Sequence, residues 1–244
     1  MKKLRLIIVL CLVILLGSCL GNDAKTEELI YKYNQYLDTD ISHETNFDNL
    51  INDISNDVMH GLVLIKVTIR TPLGFLVEQR FGTGFIIDKK NTNVTIISAY
   101  NLIHLENQNH RLRLDVYDFQ GNEYTASISK SSSTTGLFIL SASFSNLHDQ
   151  TKIMTLSETF SLANEPVFML SHLQRFRNSL TMGLIQSYEM DTLTTTLSFD
   201  NYSLGAVLVN SLGEVIGIAA EINQSDTIIY NAAYIKSYIL ESTN

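Results

Sequence analysis

The chain has 244 residues, 45% of them apolar and 17% charged, with only two Pro and 12 Gly. That composition suits one folded domain of roughly 200 residues plus a leader, and it excludes collagen-like and disordered classes. The formal charge of −8 argues against a nucleic-acid partner, because phosphate neutralisation needs clustered Lys and Arg.

The N-terminus opens with Met1-Lys2-Lys3-Leu4-Arg5, a basic stretch. Leu6 to Leu16 is an almost unbroken apolar run of the length of a signal-peptide core, too short to span a bilayer. Leu16-Gly17-Ser18-Cys19 follows. Small residues before a Cys, three after a Leu, resemble the lipobox of bacterial lipoproteins. The resemblance implies cleavage after Ser18, a diacylglyceryl group on the Cys19 sulfur and acylation of the new N-terminus, with palmitate as an expected acyl chain. An ordinary secretory leader with a chance Cys, or a buried apolar helix, are the other readings of these residues. On the lipoprotein reading Cys11 leaves with the leader and Cys19 carries lipid, so no disulfide staples the core. Loss of Lys2, Lys3 and Arg5 makes the remainder more acidic, and several acyl chains give stable attachment. The expected organisation is a signal peptide over 1–18, a lipidated tether over 19–45 and one domain over 46–244, extracytoplasmic and lipid-anchored at the periplasmic face or cell surface of a bacterium.

The tether is polar and holds one short helical pattern, Glu27 to Leu37, with Ile30, Tyr33 and Leu37 on one side. A second pattern places Phe47, Leu50, Ile51, Ile54 and Val58 on one helical face, with Thr45 or Asn46 to cap it and Gly61 to end it. From Leu62 onward the pattern turns to strands. LVLIKVTIRT is followed by the turn Pro72-Leu73-Gly74, then FLVEQRF and GTGFII. Val94 to Ser98 reads as a buried strand, and RLRLDVYDF alternates, with Leu112, Leu114 and Val116 on one face. The turn Gln120–Glu123 leads into YTASIS; LFILSA, PVFML, SLTMGLIQSY and TLTTTLSF come next. Ala206 to Val209 and Val215 to Ile218 form a hairpin around Asn210, Ser211 and Gly213, and Ala233 to Leu240 is a terminal helix. Many short strands with small turns indicate an all-β, closed architecture.

Six segments, in order, resemble the trypsin-like serine proteases, in particular the bacterial Deg/HtrA group. Phe81-Gly-Thr-Gly-Phe-Ile-Ile-Asp88 is similar to that group's Gly-Ser-Gly-Phe-Ile-Ile, and Ile96-Ile-Ser-Ala-Tyr-Asn-Leu-Ile103 to its Ile-Leu-Thr-Ala-Ala-His-Val-Ile. Asp118-Phe-Gln-Gly121 with YTASI resembles its Asp-Gly hairpin, Thr135-Gly-Leu-Phe-Ile-Leu140 its Ser-Asp-Ile-Ala-Leu-Leu, and Leu180-Thr-Met-Gly-Leu-Ile185 its Val-Thr-Ser-Gly-Ile-Val. LVNSLGEVIGI, Leu208 to Ile218, matches the strand–turn–strand that follows the nucleophile. The resemblance covers about Leu62 to Leu240. It implies a chymotrypsin/trypsin-like fold of two six-stranded antiparallel β-barrels with a cleft between them, here with short N-terminal helices, a C-terminal helix and no PDZ domain after the barrels.

A serine protease needs a Ser nucleophile, a His base and an Asp that orients it, with backbone N–H groups for the oxyanion. Carried over segment by segment, the His position falls on Asn101, the Asp position on Gly136 and the Ser position on Leu204. An amide has no pKa near 7, a Gly has no side chain and an isobutyl group has no nucleophile. Tyr202 stands where the resemblance implies a Gly that shapes the oxyanion turn. The first reading is therefore a catalytically inactive homologue that binds a protein or peptide in the old cleft or along a strand edge. The alternative is an active endopeptidase with a relocated triad: Ser203 as nucleophile, with Val207 bulged from the next strand, His104 as base, and Asp115 or Asp118 as orienting acid. A holdase for unfolded envelope proteins is a third reading. No metal-ligand spacing joins His43, His60, His110, His148 and His172, and no cofactor motif is present.

Overall fold

The computed structural model describes residue 52 and residues 54–241, apart from 160, 174–176, 201 and 223–226. The leader, Cys19, the tether with its Glu27–Leu37 pattern and the start of the second helical pattern lie outside the described residues. The described end of that second pattern is a π-helical turn, Ile54–Val58, followed by a 3-10 turn, Met59–Gly61. Ile54 and Val58 are buried, as the periodicity requires of an apolar face.

The rest is two closed six-stranded antiparallel barrels and one helix. The first barrel comprises β1 (Leu62–Arg70), β2 (Leu76–Lys90), β3 (Asn93–Ala99), β4 (Arg111–Tyr117), β5 (Glu123–Ser132) and β6 (Leu137–Ser143), ordered β1-β2-β3-β6-β5-β4. The second comprises β7 (Pro166–Leu173), β8 (Arg177–Tyr188), β9 (Thr192–Thr195), β10 (Val207–Val209), β11 (Val215–Ile222) and β12 (Thr227–Asn231), ordered β10-β11-β12-β9-β8-β7. Closure pairs both edges of each sheet, so neither barrel leaves a whole strand unpaired along one side.

The strands that read as continuous apolar runs are covered on both faces. In β1, Val63, Ile65, Val67 and Ile69 fill the first barrel with Ile96, Leu114, Val116, Phe138 and Leu140. Leu62, Leu64 and Thr68 on the opposite face are buried too. Each fully buried Leu or Ile contributes about 1.5–3 kcal/mol, so this core dominates the stability of the barrel. The second barrel closes on Val167, Ile185, Leu193, Leu208, Ile216 and Ile229.

Three sequence expectations need correction. Leu76–Phe81 of FLVEQRF and all of GTGFII belong to one strand, the 15-residue β2, which has a register shift between Ile86 and Asp88 and serves β1 and then β3. TLTTTLSF supplies only the short β9. Thr227–Asn231, not anticipated, is the twelfth strand. It leads directly into the terminal helix α1 (Ala232–Leu240), whose N-cap Asn231 accepts from Tyr234 N at 3.0 Å.

Candidate active site

The cleft is built where the end of β3, the β5–β6 turn and the turn before β10 converge. After β3 the chain tightens into a 3-10 turn, Tyr100–Leu102, with Asn101 exposed. Arg80 holds this turn by its backbone: Nη1 donates to Asn101 O at 3.3 Å and His104 O at 2.6 Å. The rest of that guanidinium grips Glu78 at 2.8 Å through Nε and Nη2. These hydrogen bonds raise the Arg80 pKa and lower that of Glu78.

The β5–β6 turn lies alongside, with Tyr100 N donating to Gly136 O at 2.8 Å. Gly136 has φ +66°, and a side chain there would meet Tyr230 Cε2 at 2.7 Å and its hydroxyl at 3.0 Å. Tyr230 is braced in turn by stacking on Tyr234, with ring centroids 4.4 Å apart. A ring from the second barrel thus covers the spot where the family resemblance would put an acid.

The turn before β10 is locked to both barrels. Leu204 O accepts from Thr83 N at 3.0 Å, Ser98 Oγ donates to Thr83 O at 2.6 Å, and Thr83 Oγ1 accepts from His172 N at 2.8 Å. Thr83, fully buried, ties β2, β3, β7 and this turn together. Gly205 sits against it at φ +78°; any Cβ would collide with Thr83 O and come within 2.6 Å of Ser98 Oγ, so only Gly fits. The Leu204 side chain, half-buried, packs with Tyr100 against the core of the first barrel. Gly82 spans the two turns: a Cβ on it would touch Leu102 Cδ1 at 2.5 Å and Leu204 O at 2.7 Å.

Asn101, Gly136 and Leu204 are therefore neighbours through one backbone network, while Ser203 and His104 are not joined. Ser203 is only 4% exposed. Its Oγ donates to Asp200 Oδ1 at 2.8 Å and accepts from Asp200 N at 3.1 Å. The same Oδ1 accepts from Tyr202 N at 2.9 Å, and Ser203 N donates to Asp200 O at 3.0 Å. With the nucleophile position at Leu204, one of the two N–H groups that a protease would aim at an oxyanion, Tyr202 N, is thus used inside the turn. His104 is exposed, its ring 6.0 Å from that of Tyr100 between centroids. Asp115 is bound by Arg113 Nε at 3.0 and 3.1 Å. Asp118 closes the β4–β5 turn, accepting from Gln120 N, Asn122 N, Asn122 Nδ2 and the Tyr124 hydroxyl. Val207 pairs in register with Leu170 and Ile218 and is not bulged; the ladder irregularity lies one residue later, between Leu208 and Val209. Among the described residues no cluster of His, Cys, Asp and Glu is arranged to hold a metal.

Thr83, Arg80, Tyr230 and Asp200 escape the sequence reading. Asp200 alone carries a local signal, the Asp-x-x-Ser spacing of a side-chain-closed turn. Because that hydroxyl supports the turn, Ser203→Ala is expected to lower unfolding stability by about 1–2 kcal/mol, read from urea midpoints.

A comparison with curated proteins yields no match. The sequence profile described as trypsin-like peptidase domain does match, over residues 82–218, more than half of the chain and the span that runs from the Gly82–Thr83 junction into β11. With two six-stranded barrels meeting at that junction, the chain belongs to the trypsin-like peptidase domain family.

Proposed function

We propose that this protein is a trypsin-fold module without peptidase activity, of Deg/HtrA type, held at a bacterial membrane by lipid on Cys19 and acting by binding protein or peptide. The observation that carries the reading is the Ser203–Asp200 turn. The hydroxyl next in sequence to the nucleophile position, that of Ser203, is buried and bonded to a carboxylate three residues back. An ordinary carboxylate is a poor base for an alcohol near pH 7. Asn101, Gly136 and Leu204 offer no base, no orienting acid and no nucleophile in the same neighbourhood.

Binding in the cleft is supported by the unequal lengths of β10 and β11. β10 has three residues and β11 eight, so Ala220–Ile222 runs on beyond the end of its shorter neighbour, and an extended peptide there would supply the missing ladder. The lipid anchor rests on the Leu16–Cys19 pattern.

A fluorophosphonate probe on the purified full chain is expected to leave it unlabelled. Stoichiometric labelling that disappears in Ser203→Ala would replace this reading with an active endopeptidase.

A further inference from the structure

The β1–β2 hairpin ends in the most apolar exposed stretch of the described surface. Leu73 is 85% exposed, Phe75 68%, Leu76 54% and Val77 48%. The tip is held in shape. Gly74 N donates to Thr71 O and Thr71 N to Phe75 O, both at 2.9 Å. Phe75 N donates to Thr71 Oγ1 at 3.1 Å, and Arg70 Nη1 to Gly74 O at 2.8 Å. Ordering it on a partner therefore costs little conformational entropy.

Two arginines stand at its base. Arg70 pairs across the ladder with Leu76 on one side and with Arg111 of β4 on the other. Like charges directly opposite each other destabilise a sheet, and among the described residues no carboxylate pairs with either one. Arg113, by contrast, is matched by Asp115 and Glu123, and Arg80 by Glu78. In a chain of net charge −8, an apolar tip with an unmatched pair of guanidiniums beneath it is an isolated feature.

From this geometry we infer that the hairpin tip inserts into an anionic phospholipid surface, with Leu73, Phe75 and Leu76 among the acyl chains, Val77 at the boundary, and Arg70 and Arg111 on the lipid phosphates. Leu76 and Val77 are successive strand residues and point to opposite faces, yet both are exposed and apolar. A protein partner covers one face of a hairpin, whereas a bilayer surrounds its tip. The depth order also fits: Leu73 and Phe75 lie at the end, and Arg70, level with Leu76 across the ladder, and Arg111 beside it follow behind them, where phosphates lie. The inference does not depend on Cys19 or on the state of the cleft.

The chain contains no Trp, so Phe75→Trp places a single indole at the tip. The full chain carrying it is reconstituted with vesicles of phosphatidylethanolamine and phosphatidylglycerol, with and without brominated acyl chains. Blue-shifted emission quenched by the bromine is expected. Met190→Trp, at a residue 88% exposed in the β8–β9 turn, is expected to stay unshifted and unquenched. Adding Arg70→Gln or Arg111→Gln lowers the ratio of inserted to exposed tip by about fivefold each. An unshifted tip indole, equal quenching at the two positions, or equal insertion into phosphatidylcholine alone would overturn the inference. So would a blue shift without lipid that grows with protein concentration, which would assign the tip to a second copy of the chain.

Discussion

A chain carrying Asn101→His, Gly136→Asp and Leu204→Ser together is expected to remain without peptidase activity and to lose stability. The three substitutions restore the side chains of a triad but not the space for one. At position 136 the backbone has φ +66°, which costs a non-Gly residue about 1–2 kcal/mol. The new Cβ falls 2.7 Å from Tyr230 Cε2, and that ring cannot swing aside freely because it stacks on Tyr234, whose hydroxyl is bound to Thr135 O. Overpacking of this kind adds about 1–3 kcal/mol, so Gly136→Asp alone should cost about 3 kcal/mol in urea unfolding. A serine hydroxyl at 204 would also lack an oxyanion hole while Asp200 Oδ1 holds Tyr202 N. Adding Tyr230→Ala should recover part of the stability and none of the activity. Fluorophosphonate labelling at position 204 in the triple variant would show instead that only the side chains were missing, and that the cleft still has the shape of a working enzyme.

What the sequence discloses follows from the range of the interactions. The hairpin Ala206–Ile218 is legible because its turn chemistry, Asn210-Ser211-Leu212-Gly213, and its flanking apolar runs are contiguous; Asn210 closes the turn itself, accepting from Leu212 N and Glu214 N. The core face of β4 is legible because the alternation of Leu112, Leu114 and Val116 is local. β12 is not, because Thr227–Asn231 is a short run that merges with the helix signal after it, and only pairing with β9 and β11 makes it a strand. The same limit hides the cleft. Tyr230 lies 94 positions from Gly136, and nothing around Gly136 announces that a phenol covers it. Thr83 reads as one small residue between two glycines, yet it binds Leu204, Ser98 and His172 from three distant segments. Family resemblance supplies the frame in which these residues meet, and side-chain packing decides what occupies it.

The second large effect is expected at His172, where the barrels meet. Its backbone N binds Thr83 Oγ1, and its ring is 3% exposed with neither nitrogen hydrogen-bonded. Burial lowers its pKa from 6.5 to about 4, outweighing the nearby Leu62 backbone, which favours the protonated ring. The folded ring therefore stays neutral while the unfolded one takes up a proton as pH falls through about 6.5. Stability contributed by the neutral ring is full above that value, declines as pH falls, and is lost by about pH 4, where the folded ring protonates as well. The depressed value corresponds to about 3 kcal/mol over that window, comparable to a fifth or more of the stability of an ordinary domain. Urea midpoints of the parent chain should fall between pH 7 and pH 4.5, whereas those of His172→Leu should fall much less. The substitution leaves the bond to Thr83 intact, since that bond comes from the backbone, so the comparison isolates the ring. Parallel declines in the two proteins would mean that the ring finds a proton acceptor in the folded state and that acid sensitivity arises elsewhere, with Glu78, whose pKa is held down by Arg80, as the next group to replace.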